Sequence, residues 1–223
     1  CLVCDAAKVL QVLEQQLKEK FNNVVPLVNP LTIPKSNAIT PYPALSNGAY
    51  KIIMLAQLDV KRKAQDNLIK AFAAPIWKGR NCIVEIYCNG EHYTLLKNLI
   101  NELNLQDIVF LKGNTNNVTL ALEQAHLVLQ ITHMDAMPIS VIEAMSKSRA
   151  VVVSNVGDMP LWVKDFETGW VAENATVNAI SNVLEIAWQN KEQWERMGKN
   201  AFKYFKDTFP KSVEEKFYNT IKQ

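Results

Sequence analysis

Short apolar runs recur along this chain at a spacing that leaves room for a helix between each pair. Ile52–Met54, Ile83–Cys88, Ile108–Leu111, Leu127–Ile131 and Val151–Val153 are brief and nearly all apolar, which predicts strands covered on both faces. The segments near 64–74, 91–104, 117–125 and 138–147 instead carry apolar residues three and four apart, as Leu68, Ile69 and Phe72 do, which predicts helices. Strand and helix in alternation, joined by right-handed crossovers, predict an α/β fold with a doubly wound, mainly parallel sheet. After a last strand near Gly169–Ala172 the pattern is helical, with stripes Val177/Ile180/Leu184/Trp188, Trp194/Met197/Ala201/Tyr204 and Val213/Phe217/Ile221. Ser212 and Glu215, following Pro210, form a capping box for the last helix.

The first 30 residues read differently. Ala7, Leu10, Leu13 and Leu17 lie at helical spacing behind Asp5, a candidate N-cap, and Val24–Val28 reads as a strand. Residues 29–48 hold Pro30, Pro34, Pro41 and Pro43, so they read as a linker at a domain boundary rather than a packed element. The predicted division is an αβ piece over 1–30, a linker over 31–48, an α/β domain over 49–207 and a final helix within 208–223.

Composition narrows the function classes. With 223 residues, 48% hydrophobic and 21% charged, the chain is globular, and a net charge of +2 gives no field for a nucleic acid polyanion. Its apolar runs fall far short of the ~20 residues that span a bilayer, and no signal-peptide pattern opens it, so a cytoplasmic protein is expected. Cys1, Cys4, Cys82 and Cys88 read as free thiols, since His92, His126 and His133 do not complete a zinc set with them. Beginning at Cys1, the chain reads as a piece of something longer. Only 7 glycines occur, below the roughly 7% average, which argues against a glycine-lined phosphate loop.

In an open α/β sheet, ligands bind beyond the carboxyl ends of the strands, so chemistry belongs in the loops that follow them. Lys61-Arg62-Lys63 stands at the expected entrance of the helix at 64–74, where cations oppose the positive end of the helix dipole. A bound anion would relieve that conflict, and a solvated basic loop is the alternative. In Asp135-Ala136-Met137-Pro138-Ile139, Pro138 suits a first helical position, leaving N–H groups free for an anion. Glu143 falls on the apolar stripe of that helix, where its carboxylate needs a donor: a ligand hydroxyl or a structural partner. His133 reads as a phosphate contact, a base or an exposed residue, and His126 as a packed strand-edge residue. No Gly-x-Gly-x-x-Gly, metal cluster or Gly-x-Ser-x-Gly elbow is present, which disfavours a nicotinamide reading and a serine hydrolase.

Taken in order, these loops resemble the donor-binding, C-terminal half of retaining glycosyltransferases of family 4, which have the GT-B fold. Ala56-Gln57-Leu58 and Lys63-Ala64-Gln65-Asp66-Asn67-Leu68-Ile69 resemble the family's G-R-L and K-G-x-D-x-L-I, with Gln57 in place of arginine. Cys88-Asn89-Gly90 stands where the family has G-D-G, and Val109 to Gly113 is similar to V-x-F-x-G. Asp135 to Glu143 resembles the E-x(7)-E signature, with Met137-Pro138 on its F-P and Glu143-Ala144-Met145 on its E-A-M. Val151 to Pro160 and Thr168-Gly169 continue the series. Ala56, Ala64, Cys88, Ala136, Ser148 and Asp158 occupy positions where the pattern has glycine.

The resemblance implies a Rossmann-like domain and metal-independent, retaining transfer from a nucleotide-diphosphate sugar, with UDP- or GDP-sugar as the expected donor and no other cofactor. It implies that Lys63, with Lys61 or Arg62 standing in for the arginine absent at Gln57, neutralises the diphosphate. The N–H groups of Ala136, Met137 and Ile139 around Pro138, and His133, would add donors. Glu143 would take the ribose hydroxyls, Asp135 would face the donor sugar, backbone groups near Leu111 and Lys112 would read the base, and Gly90 would also belong to the donor site. The acceptor, whether glycan, lipid or small molecule, would belong to an N-terminal domain of which residues 1–30 are the end, and that domain can also supply peripheral membrane contact. Asp135 is one methylene shorter than the family's glutamate, and this leaves a second reading, a binding module whose catalytic geometry has decayed.

Overall fold

The computed structural model describes residues 2–4, 7–22 and 24–222, so Cys1 and the Asp5 cap lie outside the described residues. Strand β1 (Leu2–Cys4), helix α1 (Ala7–Leu17) and strand β2 (Val24–Pro26) form an αβ piece whose two strands pair in parallel. The main body follows as β3 (Tyr50–Leu55), α2 (Val60–Lys63), α3 (Gln65–Phe72), β4 (Cys82–Tyr87), α4 (Tyr93–Glu102), β5 (Val109–Gly113), α5 (Val118–Glu123) and β6 (Leu127–Gln130). It continues through α6 (Ile139–Ser146), β7 (Ala150–Ser154), α7 (Met159–Trp162), β8 (Gly169–Ala172), α8 (Val177–Gln189), α9 (Trp194–Thr208) and α10 (Val213–Ile221).

The six strands of the main sheet are all parallel, in the order β5-β4-β3-β6-β7-β8. This is the expected doubly wound, Rossmann-like sheet. The chain builds outward from β3 to β5, returns across the sheet and builds outward again from β6 to β8, so the order reverses between β3 and β6.

Alternating strand residues feed two cores. Ile52, Met54, Val84 and Ile86 pack on one face with Leu68, Phe72, Leu96, Ile180 and Leu184. Ile53, Val128, Val151 and Val153 pack on the other with Ile142, Met145, Phe202 and Phe205. Polar side chains start several helices: Asp59 accepts from Lys61 and Arg62 N–H groups, Thr176 from Ala179, and Ser212 from Glu215 as the capping box requires.

The proline-rich segment forms no helix, but it is packed, contrary to the expectation of a loose linker. Its course is a belt laid along α6 and on to β7. Asn29 N–H reaches Met137 Sδ at 3.1 Å, Thr32 bonds Glu143, and Ile33 is buried in the second core. Further along, Lys147 Nζ donates to Ser36 Oγ at 2.9 Å and Thr40 N–H to Ser148 Oγ at 3.0 Å. The fully buried Arg149 closes the series, donating to the carbonyls of Pro41, Leu122, Glu123 and Ser148. Carbonyls at the end of α5 present the negative end of a helix dipole, which is how a guanidinium is held there without a carboxylate. On the opposite side, Lys35 Nζ donates to the carbonyls of Pro210 and Lys211.

Cys82 and Cys88 are free thiols, as expected, and burial pushes the Cys82 thiol up to about 11. Among the described residues no helix is long and apolar enough to cross a membrane.

Candidate functional site

Where the strand order of an open sheet reverses, the loops leaving the two central strands part and open a crevice at their carboxyl ends. Here those loops are Ala56–Asp59 with α2, after β3, and Ile131–Pro138, after β6. Both carry the candidate residues, and Lys63 meets Asp135 across the crevice: Nζ lies 2.7 Å from Oδ2, with both side chains about five-sixths buried, at 16% and 15% exposure.

The basic triplet stands at the entrance of α3, as expected, but does so on a short helix of its own. Asp59 caps α2, the three cations fill its last turn, and Ala64 ends it at φ 48°, a left-handed conformation that suits the glycine of the resembling pattern. Cations at the C-terminus of α2 are favourable, which offsets the dipole conflict expected at the start of α3. Arg62 is held within its own loop, with Nε 2.6 Å from Asp59 Oδ2 and Nη2 3.1 Å from Gln57 Oε1. The bond from Arg62 holds the Asp59 carboxyl below the usual carboxylate range. Lys61 and Gln57 are exposed at the mouth.

The two loops are also joined through the backbone. The Arg62 carbonyl accepts from His133 N–H at 2.7 Å, Met134 N–H at 3.2 Å and Thr132 Oγ1 at 2.5 Å. His133 is thereby fixed by its main chain, and its side chain is exposed beside the cleft.

Three donors surround Asp135. Oδ2 takes Lys63 Nζ and, at 3.4 Å, Gln130 Nε2, while Oδ1 accepts Ala136 N–H at 3.0 Å. The loop after β7 braces this segment from behind. Asp158 N–H donates to the Ala136 carbonyl at 3.0 Å, and Gly157, at φ 54°, comes so close that a Cβ would lie 2.4 Å from the Asp135 carbonyl oxygen. Glycine is required there by space and by backbone conformation together.

Pro138 caps α6 instead of opening it, and Ile139 is the first helical residue. The Ile139 N–H turns back to the Met137 carbonyl at 3.0 Å and is therefore not one of the free donors expected at this helix start. Glu143, one turn inside α6 and 4% exposed, has the donor that its burial demands: Oε1 accepts Thr32 N–H at 2.7 Å and Thr32 Oγ1 at 2.6 Å. That donor belongs to the belt.

On the other flank, Gly90 packs against the Leu58 backbone so tightly that a Cβ would meet its carbonyl oxygen at 2.3 Å, which fixes the β4 loop to the β3 loop. Leu111 and Lys112 lie on the edge strand β5, beside β4. Lys112 Nζ is 3.5 Å from Glu85 Oε1, and Lys51 Nζ is 3.4 Å from its Oε2. Burial pushes Glu85 up, but the Tyr87 hydroxyl and these two lysines outweigh it and leave the carboxyl below its ordinary value. For a cation, the described residues offer Asp59, Glu91 and His92, with ligand atoms within 4.8 Å of one another, although Asp59 already holds Arg62.

The structure thus brings Lys63, Asp135, Ala136 and His133 together with Lys61, Arg62 and Gln57, and sets Glu143 behind them against the belt. It adds Gln130, Thr132 and Thr32, which the motifs did not single out. Gln130 carried one signal, a polar side chain at the end of an otherwise apolar strand. Thr32 carried none, since its partner is 111 residues away.

Residues 39–204 match the family described as glycosyl transferases group 1. The chain is 26% identical over 156 residues to the poly(glycerol-phosphate) alpha-glucosyltransferase of Bacillus subtilis strain 168, a match that covers 69% of the chain and 23% of that protein. It is 26% identical over 198 residues to an uncharacterized glycosyltransferase of Haemophilus influenzae, over 87% of the chain and 54% of that protein. Among solved structures, a mutant of S. aureus TarM in complex with fondaparinux, alpha-GlcNAc-glycerol and UDP superposes with a TM-score of 0.82 at 21% identity, over 99% of the chain and 43% of TarM. Anabaena HepE in complex with UDP and glucose gives 0.80 at 14% identity, over 99% of the chain and 62% of HepE. The chain therefore spans from about a quarter to about half the length of these two curated relatives. The superpositions establish the fold, and the family match runs through both cleft loops, so the chain belongs to the group 1 glycosyl transferases.

Proposed function

We propose that the chain is the donor-binding, C-terminal half of a family 4 glycosyltransferase of GT-B fold, which binds a nucleotide-diphosphate sugar for retaining, metal-independent transfer. The reading rests on one observation above the others: a lysine and an aspartate from the two loops at the reversal of the sheet, 2.7 Å apart and shielded from water. In such a cleft a fixed ammonium stabilises charge that develops on a leaving diphosphate far more than it could in open solvent. Lys63 is the residue that would do so, with Lys61 at the mouth adding positive charge in the place of a metal ion and Arg62 contributing once the diphosphate competes with Asp59 for it. As Lys63 turns to the diphosphate, Asp135 is left facing the sugar. Glu143 would meet the ribose hydroxyls, and backbone groups of Leu111 and Lys112 the base.

UDP in the TarM and HepE complexes supports UDP- over GDP-sugar. The transferred group would be a hexosyl or related sugar, and the acceptor would be held by the remainder of a longer protein, so this chain alone would not turn over. A cytoplasmic site, with or without contact to a membrane surface, accords with a nucleotide-sugar donor.

Calorimetry with UDP, GDP and ADP tests the reading. One of them is expected to bind, and Lys63→Met should weaken it on the order of 10-fold or more, the loss of a charge-assisted contact. No binding of any of them at millimolar concentration would refute the donor site. The direct pairing of Asp135 with Lys63 also suits the second reading, a non-catalytic module; in the full-length protein an Asp135→Ala transfer rate equal to wild type would favour it.

A further inference from the structure

Every residue of β6 is buried, and Gln130 at its end is only 4% exposed. A side-chain amide in that position costs free energy that leucine would not, unless its groups are satisfied. They are satisfied on one side only. Nε2 points to Asp135 Oδ2 at 3.4 Å, whereas Oε1 is buried without a hydrogen-bond partner among the described residues. Reversing the amide would set its oxygen against the carboxylate, so Asp135 dictates the orientation and the unpaired acceptor is the consequence. A native structure that leaves a buried acceptor unpaired calls for a reason at that place.

The ion pair supplies one. Lys63 dominates Oδ2 at 2.7 Å, and the Gln130 contact is long for a hydrogen bond. When Lys63 is shared with a diphosphate, the donor left on that oxygen is Gln130. Contacts that are loose in a free enzyme tighten when the ligand completes the site. We infer that Gln130 is a positioning residue: it acts through Asp135, holding the carboxylate against the end of β6 once the diphosphate draws Lys63 away. This deepens the donor-site reading and rests on it.

The test compares Gln130→Leu, Asp135→Ala and the double variant by calorimetry, with UDP and with the tighter-bound of UDP-glucose and UDP-N-acetylglucosamine. Gln130→Leu is expected to hold UDP as wild type does, yet to weaken the sugar donor about 10-fold, as for a lost bond to a charged group. In the Asp135→Ala background the same substitution should change nothing further, because the side chain it acts through is gone. The melting temperature should stay equal or rise, since an unpaired acceptor is removed. An equal loss for UDP and sugar donor, a loss that persists in the Asp135→Ala background, or no loss at all would overturn the inference. A wild-type chain that binds no nucleotide would fail at the earlier step, the donor site itself, and take this inference with it.

Discussion

Substituting Thr32 by valine removes a single O–H and keeps the branched shape, so it isolates the bond that fastens the belt to α6. That bond is short, 2.6 Å from Oγ1 to Glu143 Oε1, and its acceptor is a carboxylate only 4% exposed. A hydrogen bond to a charged group contributes about 1.5–3 kcal/mol. Thr32 is itself exposed, so water competes at its end and the lower half of that range applies. The Thr32 N–H still donates at 2.7 Å, so Glu143 is not abandoned and the larger penalty of an unpaired buried charge is avoided. For a chain of this length, about 2 kcal/mol lowers the melting temperature by roughly 4–8 °C. Thermal unfolding followed by calorimetry measures the shift, and Thr32→Ser, which keeps the hydroxyl, should recover most of it. If Thr32→Val melts within about 1 °C of wild type, the belt is not held by this bond and the reasoning fails.

The brace behind Asp135 makes a sharper prediction: Gly157→Ala forces a Cβ toward the Asp135 and Ala136 carbonyls at 2.4 and 2.6 Å, so the loop must move. A displacement of about 1 Å can cost ~100-fold in rate, and a full-length Gly157→Ala enzyme with wild-type turnover would show that the brace does not set Asp135. His126 gives a pH dependence. It is 2% exposed, burial holds its pKa below the usual 6.5, and Nδ1 accepts Lys51 N–H at 2.8 Å. Below pH 6.5 the unfolded chain takes up a proton that the folded chain resists, so stability is full above that pH and declines as pH falls toward the folded value. The urea midpoint should therefore drop between pH 7.5 and 5.5, and His126→Gln, which keeps an acceptor, should flatten that drop; an unchanged slope in the variant would exclude His126 as its source.

The central strands were legible because a parallel strand covered on both faces must be apolar throughout, as Val151–Val153 shows, and the helices because only one stripe of each, such as Leu68 with Phe72, is covered. Helices α2 and α7 were not, since four residues barely exceed one turn and carry no period. Missing α2 hid the second helix end, a favourable one, that Lys61-Arg62-Lys63 also face. The crevice loops were legible through Lys63 and the Asp135 to Glu143 spacing, but their pairing was not: nothing local in either segment says that an ammonium and a carboxylate 72 positions apart share a cleft. The belt was misread for the same reason. Prolines mark the absence of regular structure, while its order comes from Glu143, Lys147, Ser148 and Arg149, all more than 100 residues downstream.

That belt also separates two notions of a domain. The span that the family match covers runs from residue 39 to 204. A chain trimmed to it would keep every strand of the main sheet but strip Glu143 of both Thr32 donors, uncover the site of Ile33, and cut Phe205, Phe209 and Val213 out of the core they share with it. Folding draws on more chain than the family match covers, and anyone who transplants this module between proteins has to carry the belt and residues 205–213 along with it.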